Sequence, residues 1–153
     1  MLLKPSRHKQ KANFFVAGMA LLLIILLLII FQYIKTKKVN RSLTLKNLEL
    51  MKQDKIYTKT KITIDDLATK LNTNRSYLSQ IINSHFKTNY RSFINSYRIS
   101  EARRLLVNPS FENHTIEAIA TEVGFGSKSV FNEIFKRETG ITPSVFQRNA
   151  KTF

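Results

Sequence analysis

The sequence predicts an all-α protein: an N-terminal transmembrane helix, then two helix-turn-helix subdomains joined by a central linker helix. Three observations lead there. A long apolar run without charge lies near the start of the 153-residue chain. One helix-turn-helix pattern is written twice further on, with a single helical stretch between the copies. No alternation of apolar and polar residues offers a strand in competition.

Composition narrows the chemistry. There is no cysteine, which removes disulfide scaffolds and thiolate metal sites, and His8, His85 and His114 are too scattered to form a ligand cluster. A net charge of +15 favours polyanionic partners, either nucleic acid or an anionic membrane surface. The charge is shared: residues 1–54 carry 10 basic and 2 acidic side chains, residues 55–153 carry 15 and 8. In the first part, some of it serves to orient a membrane segment.

Residues 1–13 are the expected short extracytoplasmic N-terminus and residues 14–34 the expected span. Phe14 through Phe31 is 18 residues without a charged or strongly polar side chain, about 27 Å of helix, and continuation to Ile34 approaches the ~30 Å hydrocarbon thickness. Phe14, Phe15, Phe31 and Tyr33 stand at the two ends, where aromatics favour the interface. A cleaved signal peptide would start with similar basic residues, but its apolar run is ~7–15 residues long, and Gln32-Tyr33-Ile34-Lys35 has no small-residue cleavage site. Lys4, Arg7, Lys9 and Lys11 precede the span, while Lys35, Lys37, Lys38, Arg41, Lys46 and Lys52 follow it. Six against four tips only slightly toward a cytoplasmic C-terminus. The stronger ground is that a helix-turn-helix outside the cell has nothing to read, and the expectation is a single-pass protein of the bacterial inner membrane. So few residues outside cannot fold or sense anything, and the chain is expected to be the C-terminal piece, or a truncated copy, of a longer sensor.

Residues 35–55 read as a basic juxtamembrane linker. Val39, Leu43, Leu45, Leu48 and Met51 are spaced for a helix leaving the membrane, without a sustained heptad. It serves either as a plain solvated spacer or as a short dimerising stalk. The span itself has no small-xxx-small pair to bring two helices together in lipid.

The folded region is expected over 56–153, with the first helix-turn-helix at 64–86, the linker helix at 90–107 and the second helix-turn-helix at 116–139. In each copy an alanine follows an apolar residue, Leu67-Ala68 and Ile119-Ala120, letting a second helix cross closely. Leu71 or Val123 comes three residues later. A turn position needing positive φ follows, filled by Asn72 and Gly124. The second helices then place Leu78, Ile81 and Ile82, or Phe131, Ile134 and Phe135, on one face. Ala68 to Leu78 is 10 positions and Ala120 to Phe131 is 11, so the second turn is one residue longer. Thr63 with Asp66 forms a capping pattern, Thr115 caps the second copy, Gly140 ends its second helix, and Thr142-Pro143 opens a last short helix. Phe93, Ile94, Tyr97, Ala102, Leu105 and Leu106 form the apolar face of the linker helix, which Asn108-Pro109 ends.

Residues 62–149 resemble the AraC-type DNA-binding domain. The second half carries the likeness: Ile116-Glu117-Ala118-Ile119-Ala120, Glu122-Val123-Gly124-Phe125, Ser127, Phe131, Phe135-Lys136, Thr139-Gly140 and Thr142-Pro143, with Tyr97-Arg98-Ile99, Ala102, Leu105 and Leu106 on the central helix. The first half departs at Lys87, where the family often has glycine. The resemblance implies seven helices in two subdomains and a transcription regulator. Asn74-Arg75-Ser76-Tyr77-Leu78-Ser79 with Ile82-Asn83 is similar to a membrane-tethered subset in which an extracytoplasmic sensor, often of tetratricopeptide repeats, precedes the span.

With the apolar positions facing inward, the opposite faces are the candidate readers. These are Asn74, Arg75, Ser76, Ser79, Gln80 and Asn83 in the first copy, and Lys128, Ser129, Asn132, Glu133 and Lys136 in the second. Asn and Gln pair with adenine, Arg with guanine, and Glu accepts from cytosine N4 but is repelled by phosphate. Lys128 and Lys136 serve equally as phosphate contacts, which position without specifying. Arg98 is expected to face inward as an ion-pair partner. The implied partners are double-stranded DNA and the lipid bilayer, with RNA polymerase and a second copy of the chain, paired through the span or linker, as further candidates. No cofactor is implied. The alternative is a membrane-bound helical protein-interaction module. An enzyme is disfavoured because no phosphate-cradling loop, nucleophile–base pair or metal set is present.

Overall fold

The computed structural model describes residues 7–150. Part of the expected N-terminus, with Lys4, lies outside them. Seven α-helices run in order among the described residues: α1 (Arg7–Gln53), α2 (Ile64–Lys70), α3 (Arg75–Phe86), α4 (Tyr90–Leu106), α5 (Ile116–Glu122), α6 (Lys128–Thr139) and α7 (Pro143–Ala150). Single 3-10 turns at Ile56–Thr58 and Pro109–Phe111 complete the set. The chain divides into two compact units, residues 1–42 and 43–153.

In the first unit, the described residues belong to α1. Its side chains from Phe14 through Ile34 are exposed, Leu22 by 67% and Phe31 by 63%. Among the described residues, α1 alone is long and apolar enough to cross a membrane, by length and composition.

The second unit begins at Leu43, ahead of the expected start at Ile56. The end of α1 supplies what was read as linker. Met51 is fully buried in the first core, and Leu43 and Leu50 pack against it. Thr44 and Asn47 are also buried, whereas Val39 and Leu45, apolar members of the same stretch, are exposed. The amide of Asn47 has no hydrogen-bond partner among the described residues. The seventh helix that the resemblance implies for the domain is therefore the end of α1, followed by six of the domain's own.

Two separate cores sit on one helix. The first gathers Met51, Ile56, Leu67, Ala68, Leu78 and Ile82 around Phe93 and Ile94 of α4. The second gathers Ile119, Ala120, Val123, Phe125, Phe131 and Phe135 around Ile99, Ala102, Leu105 and Leu106 of the same helix. At about 1.5 Å per residue, its 17 residues extend ~26 Å.

Arg98 faces inward, but its partners are not carboxylates. Its Nε donates to the Tyr57 carbonyl at 2.7 Å, its Nη2 donates to the Lys59 carbonyl at 2.9 Å, and its guanidinium lies 5.5 Å from the Phe125 ring centroid. The acidic residue of α4 is committed elsewhere. Glu101 accepts from Lys55 Nζ at 2.8 Å and from Arg104 at 2.7 and 2.9 Å. The Arg104 hydrogen bonds, then Lys55, hold its carboxyl down at about 2, against the opposing effect of burial. A carboxyl depressed in the fold stabilises above its ordinary value of 4.5, and that stability is lost as pH falls toward 2. Both cations are half exposed, so the loss should be on the order of 1 kcal/mol. Thermal melts between pH 5 and pH 2 (roughly the span of the transition) should fall less steeply for Glu101→Gln than for wild type.

Candidate nucleic-acid interface

Both helix-turn-helix units are built by local backbone chemistry. Thr63 accepts from the Asp66 N–H while the Asp66 carboxylate accepts from the Thr63 N–H, a reciprocal cap that starts α2. That hydrogen-bonded carboxylate is held below its usual range. Thr115 accepts from the Ala118 N–H to start α5. The turns close alike. Asn72 N–H donates to Thr69 O and Thr73 N–H to Ala68 O; Gly124 N–H donates to Thr121 O and Phe125 N–H to Ala120 O. Asn72 (φ 54°) and Gly124 (φ 94°) both take the left-handed conformation. The first connection runs from Leu71 to Asn74 and the second from Val123 to Ser127, one residue longer.

At Lys87 the chain is also left-handed, φ 54°, and there it ends α3. Lysine therefore occupies the position where the resemblance leads one to expect glycine, at a conformational cost of about 1 kcal/mol.

On α3, Leu78, Ile81 and Ile82 are buried. Arg75, Ser76, Ser79, Gln80 and Asn83 are left on the other side, where with Ser84 they line one shallow open concavity of about 670 Å³. Asn74 stands apart from them. Its side-chain Oδ1 accepts from the Tyr77 N–H and caps the helix. Arg75 donates to Asp65 on α2 at 2.7 Å, both side chains being well exposed. An exposed pair of this kind is worth ~0–1 kcal/mol and exchanges readily for a stronger acceptor.

On α6, Phe131, Ile134 and Phe135 are buried, and Lys128, Ser129, Glu133 and Lys136 are exposed. Asn132 differs from that group: it is half-buried, and its Oδ1 is enclosed without a hydrogen-bond partner among the described residues. The second helix of each helix-turn-helix begins with a cation, Arg75 on α3 and Lys128 on α6. Near a helix N-terminus the macrodipole disfavours positive charge by ~0.3–1 kcal/mol. An anion brought to these ends offsets that cost.

The two helix-turn-helix subdomains share a second concavity, about 660 Å³, lined by Asp65 and Arg75 from the first, Gly126 and Val130 from the second, and Arg91 and Arg98 of α4. Sequence reasoning missed Arg91 and Val130. Both carried a signal: Arg91 puts a cation in the first turn of α4, against the dipole, and Val130, four residues before Ile134, extends the apolar stripe of α6 at its edge. Val130 is 47% exposed, and an apolar side chain on such a face suits a thymine methyl. Tyr90 also lines this cleft. Burial, then the Asp66 charge, push its hydroxyl up to about 12.

A family model described as "Helix-turn-helix domain" matches residues 67–149, more than half the chain. The chain belongs to this family. It is an AraC-type domain, and its relatives are named as transcriptional regulators. The raffinose operon transcriptional regulatory protein RafR of Pediococcus pentosaceus is 32% identical over 87 residues, which are 57% of this chain and 30% of that protein. This AraC-type chain thus spans about 30–39% of the length of the curated relatives it matches. Among solved structures, the C-terminal domain of AraT, a response regulator from Geobacillus stearothermophilus, has a TM-score of 0.59 at 23% identity, over 70% of this chain and 84% of that one. The DNA-binding domain of AdpA, in complex with a target DNA, has a TM-score of 0.58 at 17% identity, over 74% and 93%. At those identities the likeness is one of fold.

Proposed function

We propose that this chain is a membrane-anchored, sequence-specific DNA-binding transcription regulator that places two recognition helices in adjacent segments of the major groove. The observation that carries the reading is the pairing of two equivalent units on one helix, each with a polar face opposite its own core. The first face holds Ser76, Ser79, Gln80 and Asn83; the second holds Lys128, Ser129, Glu133 and Lys136. An α4 of ~26 Å supports two readers about one DNA turn, ~34 Å, apart. A protein-interaction module has no need of exposed Arg, Lys, Gln and Asn on both helices. Arg75 and Gln80 supply base-edge donors, while Lys128 and Lys136 supply phosphate contacts.

Anchoring is carried by the exposed apolar face of α1 from Phe14 to Ile34. The DNA-binding unit then belongs in the cytoplasm, where its ligand is. A reporter fused after Phe153 that works only outside the cytoplasm would overturn that arrangement.

The readers are tested by two substitutions. Gln80→Ala should flatten base preference at one position by about 1–3 kcal/mol, with little loss on random DNA. Lys136→Ala should weaken binding to all sequences and reduce the salt slope by about one unit. Equal losses on specific and random DNA for both variants would sink the assignment.

A further inference from the structure

The two helix-turn-helix subdomains pack on α4 through separate cores. The segment between α1 and α2 adds a second connection between them. Its beginning is locked by Lys55, left-handed at φ 45° and ion-paired with Glu101. Ile56 and Tyr57 are buried in the first core, and the Tyr57 ring stacks on Tyr97 with centroids 5.7 Å apart. The next residues reach the second unit. A Cβ at Gly124 would lie 2.5 Å from the Thr58 carbonyl oxygen, and one at Gly126 would lie 3.7 Å from the Thr60 methyl. Residues 55–60 therefore touch the first core on one side and the second turn on the other.

Arg98 latches this strap. It is buried on α4, midway between the cores, and donates to the carbonyls of Tyr57 and Lys59. Its guanidinium also lies against Phe125, which packs on Phe131, in the first turn of α6, at 5.2 Å. A guanidinium buried without a carboxylate is costly. Its planar fork reaches two backbone carbonyls and a ring at once, which a lysine ammonium cannot do.

We propose that the strap 55–60, latched by Arg98, sets the spacing between the two recognition helices. Arg98 is then a positioning residue: it determines which half-site separation is accepted without touching DNA. The inference rests on the two-reader function proposed above.

The test uses the full chain in detergent micelles and three kinds of duplex: the selected two-part site, the same site with one or two base pairs inserted between its halves, and each half alone beside scrambled sequence. Arg98→Met should keep its affinity for each half within about twofold, while its preference for native over shifted spacing, roughly tenfold or more in the wild type for rigidly coupled readers, falls to near one. Arg98→Lys should fall in between. The chain has no cysteine, so Thr60→Cys/Gly126→Cys can staple the strap to the second unit. A sulfur replacing the Thr60 methyl lies 3.7 Å from the new Cβ, close enough for a disulfide after a small shift. Gly126 is not among the positive-φ residues, so cysteine is tolerated there. Oxidation should restore spacing preference to Arg98→Met, and reduction should remove it. Unchanged spacing preference in both Arg98 variants overturns the proposal. So does parallel loss of both halves and the whole site that the staple does not rescue. Wild type that binds neither half refutes the two-reader function itself.

Discussion

Gly124→Ala should destabilise the second helix-turn-helix by about 3 kcal/mol or more and lower its melting midpoint by ~10 °C or more. Two causes add. Gly124 sits at φ 94°, a conformation that costs an L-residue ~1–3 kcal/mol. Its missing Cβ would also lie 2.5, 2.8 and 3.0 Å from three backbone atoms of Thr58. A backbone neighbour cannot swing away as a side chain does, so the strap must move. Gly140 provides the control. It has a similar φ of 84°, but nothing lies within 4 Å of a Cβ built there, and Gly140→Ala should cost only the conformational ~1–2 kcal/mol. Equal midpoints for the two variants, by calorimetry, would show that the contact with Thr58 does not matter.

Phe131→Ala should cost about 3–5 kcal/mol. The side chain is fully buried and its ring packs against Phe125 at 5.2 Å and Phe135 at 5.5 Å. The damage should be local, because the two cores share α4 but no buried residue. The second half-site should then be lost while the first is still bound. That pattern separates it from the Arg98 variants, which should keep both halves and lose only their coupling. Footprinting on the two-part site distinguishes these outcomes: Phe131→Ala protects one half, and loss of protection on both halves would mean the cores fold as one.

What the sequence makes legible here is local. Thr63 with Asp66, Thr115, Asn72, Gly124 and Gly140 each act on backbone groups within a few positions, so their spacing alone reveals helix starts, turns and ends. The inward faces of α3 and α6 follow from the period of the helix. What escapes is set by residues distant in sequence. Thr44 and Asn47 are polar and sit in a basic stretch, and only the packing of Leu43, Leu50 and Met51 against the first core explains their burial. Arg98 was read as an ion-pair partner because carboxylates are the usual partners of a buried arginine; its actual acceptors are two carbonyls about 40 positions away. Among the residues expected to read DNA, Asn74 is taken by its cap and Asn132 is half-enclosed. Neither is visible in a list of outward positions. Nor is the Arg75–Asp65 pair, which depends on how α2 and α3 cross.

The family resemblance and the physical reading meet at the turn Gly124-Phe125-Gly126. As a family motif, it marks the second helix-turn-helix. In the structure, it is where the strap, the second core and the first turn of α6 come together.

The measurement that bears most directly on the two-reader function is selection of binding sites from random duplex DNA by the full chain in detergent, at a stated salt concentration. Two enriched half-sites with centres about 10–10.5 base pairs apart are expected, one for each recognition helix. Binding to the random pool with no enriched motif would contradict it and leave the charge of +15 as a non-specific polyanion surface.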